Sequence, residues 1–138
     1  MPKTICFCGS FKFYSEMQKN AAALRQSGLH VIVPQPSHIR HVHKPEKLKE
    51  GKFKPATLKK WEGKGALAHL ENIRKSDAVY IFNQGSYLGP AVTAEIGFSL
   101  ALGKPIFARA PIKDITITNF ITAVVSPKKL IDWIRSAK

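Results

Sequence analysis

One acidic side chain stands out by its surroundings. Glu95 lies in the run Thr93-Ala94-Glu95-Ile96-Gly97-Phe98, a helical stretch that follows the glycine-bearing loop Asn83 to Pro90. A carboxylate on the early turns of a helix, just past a loop open enough to admit a ligand, can act as a nucleophile. It can equally pair with an oxocarbenium-like transition state in C–N glycosidic cleavage. A solvent-facing glutamate favoured by the helix dipole is the plainer account of the same pattern. A second loop, Gly9-Ser10-Phe11-Lys12, follows the first apolar run. Glycine lets backbone N–H groups approach a ligand and a following helix N-terminus favours anions, so Gly9 and Ser10, with Lys12 beside them, are candidates for holding a phosphate or a sugar hydroxyl. Neither G-x-G-x-x-G nor a phosphate loop ending in Gly-Lys-Ser/Thr occurs.

The elements that must position these residues can be read from periodicity. Thr4 to Cys8 is a short apolar run ended by Gly9-Ser10, a first central strand. Met17, Ala21 and Leu24 recur at helical spacing between Tyr14 and Gln26, with Ser27-Gly28 as a stop signal. Leu29 to Val33 is a second strand, so the first thirty residues form a βαβ unit. Lys59 to Lys75 can carry a helix with Leu67, Leu70 and Ile73 inward, Ala78 to Phe82 is a third strand, and Thr93 to Leu102 is the helix bearing Glu95. Strands at Pro105 to Ala108 and Phe120 to Val125 follow, then a terminal helix capped by Ser126 with Pro127 at its start. The sum is an α/β fold, a doubly wound parallel five-stranded sheet with helices on both faces, in a single domain over residues 1–138. In such sheets ligands bind beyond the C-terminal strand ends, the edge that both loops reach.

Other reactive side chains are weighed against that frame. Asp77 precedes the third strand and belongs to its far end, as a structural residue. His69 lies on the preceding helix beside its inward face, where packing is the ordinary role of a single histidine. Cys6 and Cys8 are read as buried thiols on opposite faces of the first strand, unable to pair with each other. A Cys-x-Cys metal site is not expected, because no matching ligands are seen. Likewise, no zinc is expected at His38, His41 and His43, which sit in a basic insertion at about 36–65.

The formal net charge of +13 over 138 residues suits an anionic partner, either nucleic acid or a phosphorylated small molecule. Much of it lies in the insertion, whose nine Lys/Arg between residues 38 and 64 are interleaved with Phe53 and Trp61, so nucleic-acid binding is one reading and a solvated lid the other. No apolar run approaches the ~20 residues needed to span a bilayer, no secretory signal opens the chain, and a cytoplasmic protein without membrane contact is expected.

Phe7-Cys8-Gly9-Ser10, Ser76-Asp77-Ala78-Val79 and Thr93 to Phe98 running to Gly103-Lys104-Pro105 together resemble the nucleoside 2-deoxyribosyltransferase superfamily, which includes the 2'-deoxynucleoside 5'-phosphate N-hydrolases. The resemblance covers roughly Thr4 to Gly28 and His69 to Ala108. It implies a flavodoxin-like sheet, a homo-oligomer, no cofactor, and a nucleoside or nucleotide substrate with Glu95 attacking the deoxyribose anomeric carbon. It further implies that Gly9 and Ser10 line the sugar or phosphate pocket, that Ser86 and Gly89 face it, and that Thr118 corresponds to a residue reaching a neighbouring subunit. His69 and Gly89 stand where members carry aspartates, and Cys6 stands where they carry a tyrosine, so His69 is the candidate acid for the departing base. A nucleotide-binding protein without turnover is the alternative.

Overall fold

The first strand, β1 (Thr4–Gly9), alternates its side chains between two cores. In the computed structural model, which describes residues 3–35 and 55–136, Ile5 and Phe7 enter one core and Cys6 and Cys8 the other. Four further strands lie parallel in the order β2-β1-β3-β4-β5: β2 (His30–Ile32), β3 (Ala78–Phe82), β4 (Ile106–Ala108) and β5 (Ala123–Val124). This is the flavodoxin-like order, which reverses direction between β1 and β3 and opens a crevice beyond Gly9 and Phe82, partners in register.

Helices cover both faces. On one, α1 (Tyr14–Gln26) brings Met17, Ala21 and Leu24, and α4 (Pro127–Ser136) brings Leu130 and Ile134, onto Phe7, Tyr80 and Phe107. On the other, α2 (Pro55–Lys75) and α3 (Pro90–Ala101) pack Ile73, Val92 and Ile96 onto Cys6, Cys8, Val79 and Ile81. Each such fully buried aromatic or branched side chain contributes about 1.5–3 kcal/mol. The two faces meet no solvent along β1 and β3, which explains their unbroken apolar sequence.

Several expectations need correction. Cys6 and Cys8 do not point to opposite faces: they are two residues apart, one full period of the pleat, and share the α2/α3 face. Leu67 is not inward but 66% exposed, because the buried stripe of α2 runs through His69 and Ile73, one register step away. The helix carrying Glu95 starts at Pro90 rather than Thr93, since proline at the first helical position loses no hydrogen bond there. Glu95 therefore sits in the second turn. The last strand is confined to Ala123–Val124, because a 3-10 turn (Ile117–Phe120) occupies the start of the expected run. Asp114 organises that turn, its Oδ1 accepting from Thr116 and Ile117 N–H at 2.8 and 3.0 Å. Of the basic insertion, residues 55–65 are helical in α2, while residues 36–54, with His38, His41 and His43, lie outside the described residues.

Candidate active site

At the C-terminal edge of β1 and β3 the chain encloses an open cleft of about 540 Å³. Its wall on the β1 side is Gly9, Ser10 and Lys12; the opposite wall comes from α2, with Glu62, Ala66 and His69; the third is the start of α3, with Gly89 and Glu95. Cavities of this size hold small organic ligands.

Local sequence accounts for each wall. A β-carbon at Gly9 would stand 3.0 Å from both Phe82 Cβ and Phe82 O and 3.2 Å from Met17 Sδ, so any side chain here would crowd the ends of β1 and β3. Ser10 turns the chain into a short 3-10 helix, its Oγ accepting from Lys12 N–H at 3.4 Å. Lys12 then lies over the Tyr87 ring, Nζ 3.2 Å from the centroid, and the pair forms the mouth of the cleft. Below, Asn83 is fully buried and clamps the loop after β3 to the loop after β4, donating to Ala110 O and accepting from Ala110 N–H, each at 2.9 Å.

The floor is a cluster of ionisable groups. His69 Nε2 lies 2.9 Å from Phe7 O and 3.6 Å from both Cys6 Sγ and Cys8 Sγ, while Nδ1 lies 3.3 Å from the Asn72 side-chain amide. Both thiols are wholly buried and His69 nearly so. The hydrogen bond with Cys8 is the largest influence on Cys6; against burial, and with help from His69 and Ser76, it brings the Cys6 thiol down to about 6. The same bond, burial and the Glu95 charge push Cys8 well above the ordinary thiol value, so the pair holds its proton on Cys8. Burial works to lower His69, but Cys6, Glu95 and the Phe7 carbonyl outweigh it and raise it. Burial raises the Glu95 carboxyl more than the His69 charge and the Cys8 thiol lower it. The result is a half-buried carboxylate backed by an imidazole that carries positive charge readily.

Six residues singled out from sequence, Gly9, Ser10, Lys12, His69, Gly89 and Glu95, line this one cleft. Ser86 and Thr118 do not: Ser86 sits in the Gln84–Ser86 turn with a left-handed φ of 64°, and Thr118 lies in the 3-10 turn before β5. Asp77 occupies the far end of β3, its Oδ2 accepting from Thr4 N–H at 2.8 Å. Sequence reasoning missed Glu62, Tyr87 and the convergence of Cys6, Cys8 and His69, which together could hold a soft metal ion. The Cys-x-Cys spacing was the available signal for that convergence, once the strand's period is applied.

No protein-family model matches this sequence, and no curated protein matches it significantly. Solved structures do resemble it. A conserved protein from Enterococcus faecalis V583 superposes with a TM-score of 0.60 at 17% identity, covering 100% of both chains. A 2-deoxyribosyltransferase from the psychrotolerant bacterium Bacillus psychrosaccharolyticus gives a TM-score of 0.60 at 18% identity over 92% of this chain and 89% of that one. A CMP N-glycosidase from Clostridium botulinum gives 0.49 at 14% identity over 96% and 98%. At these identities the shared property is the fold, a five-stranded parallel sheet of the flavodoxin-like, deoxyribosyltransferase type.

Proposed function

We propose that this chain cleaves the N-glycosidic bond of a 2'-deoxynucleoside or its 5'-monophosphate, with Glu95 as the nucleophile. The observation that carries this reading is the Glu95 carboxylate in the wall of a nucleoside-sized cleft at the switch point of the sheet. A carboxylate oxygen attacks the anomeric carbon, a C–O ester bond forms as the C–N bond breaks, and the bond's electron pair leaves with the base, which takes a proton from water in the open cleft. Water then attacks the same carbon and gives its proton to the hydroxide left by the first step, releasing the sugar and restoring the Glu95 carboxylate. A second base in place of water gives transfer.

His69 supports the reaction by charge rather than by donating to the base, because both its ring nitrogens are turned toward Phe7 O, the thiols and Asn72. Its positive charge favours the ionised Glu95 needed for attack. Lys12, a cation lining the cleft, supports recognition of a 5'-phosphate in this reading. The test is incubation with a panel of deoxynucleosides and their monophosphates, followed by chromatography for free base. Release of base supports the assignment, whereas calorimetric binding with every ligand recovered intact supports a nucleotide-binding protein instead.

A further inference from the structure

Cys6, Cys8 and His69 are not explained by the glycosidase reading, which uses only the charge of the imidazole. Their ligand atoms all lie within 4.8 Å of one another, and each Sγ is 3.6 Å from Nε2. A tetrahedral zinc ion with Zn–S of about 2.3 Å and Zn–N of about 2.0–2.1 Å separates a sulfur from a nitrogen by roughly 3.6 Å. A thiol–imidazole hydrogen bond has a similar length, so the telling feature is that both sulfurs converge on one nitrogen.

We infer that Cys6, Cys8 and His69 form a buried zinc site beneath the cleft, joining β1 to α2. Two sulfurs and an imidazole are the donor set of a borderline-soft cation, and an oxygen-preferring ion such as magnesium would find no suitable ligand among them. The other imidazole nitrogen is already placed for support: Nδ1 is 3.3 Å from the Asn72 amide, which can present its oxygen to an Nδ1 proton and leave Nε2 for the metal. Nε2 now donates its proton to Phe7 O at 2.9 Å, and the cation takes that proton's place. The fourth position falls to water from the cleft, which reaches His69; Glu95 oxygens are not among the converging ligand atoms. Two thiolates cancel the charge of the ion and the ligating imidazole is neutral, so the zinc-loaded cluster lacks the imidazolium charge that Glu95 faces in the metal-free protein, and the metal's role is to pin α2 against the sheet.

The test uses the full chain, purified without an immobilised-metal column and exposed to zinc before removal of excess. Elemental mass spectrometry is expected to find about one zinc per chain. Cobalt replacement is expected to give the intense near-ultraviolet absorption of thiolate-to-cobalt charge transfer with visible bands of a tetrahedral site. Cys6→Ser and Cys8→Ser, checked for native circular dichroism, should each weaken zinc binding at least tenfold and lose much of the charge-transfer intensity. Both measurements are made without any nucleoside or nucleotide, which keeps the outcome separate from that of the glycosidase assay. Wild-type protein that retains no zinc, or a cobalt spectrum without charge transfer, overturns the inference without recourse to any variant. So does a charge-transfer band that survives replacement of both cysteines.

Discussion

Replacing Glu95 by glutamine separates a catalytic carboxylate from a structural one, because the two roles move activity and stability in different ways. Glutamine keeps the size and one acceptor oxygen but removes the negative charge and the nucleophile. Glu95 is half-buried between Val92 and Ile96 on the inner side of α3, and burial is the dominant influence on its carboxyl, only partly opposed by His69 and Cys8. The folded protein thus carries a charge in a place that disfavours it, and the neutral amide relieves that cost. Glu95→Gln is therefore expected to melt no lower than the parent in a thermal scan. Turnover should fall at least about 10³-fold, or ~4 kcal/mol of transition-state stabilisation, since no other carboxylate of the cleft lies on the wall formed by α3. Base release from a deoxynucleoside monophosphate, followed by chromatography under single-turnover conditions, measures the loss. Release within tenfold of the parent refutes the nucleophile assignment. A melting temperature several degrees lower refutes the claim that the carboxylate is held at a cost to stability.

Four other outcomes follow from named contacts. Gly9→Ala forces a methyl group against Phe82 and Met17 and should destabilise by about 1–3 kcal/mol, seen as a lower denaturant midpoint with an unchanged slope. Asn83→Ala leaves the part-buried N–H and C=O of Ala110 without their partner and should cost about 1–3 kcal/mol by the same measurement; a change below ~0.5 kcal/mol would show that the clamp is dispensable. Tyr80→Phe removes the 2.9 Å hydrogen bond from the hydroxyl to Val125 O and should cost about 1 kcal/mol, with no effect on ligand binding. Lys12→Met should raise KM for a 5'-monophosphate about tenfold while leaving the unphosphorylated nucleoside unchanged, and equal effects on both would remove Lys12 from phosphate recognition.

How much of this was legible in the chain depends on the range of the interactions involved. Strand β3 and helix α1 were readable to the residue, because Ala78 to Phe82 is buried on both faces and the spacing of Met17, Ala21 and Leu24 is set by one helix. The position of Gly9, Ser10, Gly89 and Glu95 at one edge also follows from sequence, since the βαβ rule places those loops together before any side chain is known. The start of α2 and the exposure of Leu67 were not readable: Leu67 and His69 are both compatible with a buried stripe, and only the position of β1 beneath the helix decides between them.

The floor of the cleft shows the same limit more sharply. In the sequence His69 reads as a solitary ionisable residue and Cys6 and Cys8 as ordinary apolar filling, because 61 residues separate Cys8 from the imidazole 3.6 Å away. Cys6 and His69 lie 63 residues apart in the sequence. In the folded chain those two positions touch, Sγ to Nε2 at 3.6 Å. A thiol beside an imidazole forms one unit, able to share a proton or a cation. In the folded chain Cys6 and His69 are therefore one unit rather than two. Single replacements of Cys6 and His69 should accordingly be non-additive in both stability and zinc affinity, with the double variant costing clearly less than the sum of the single ones.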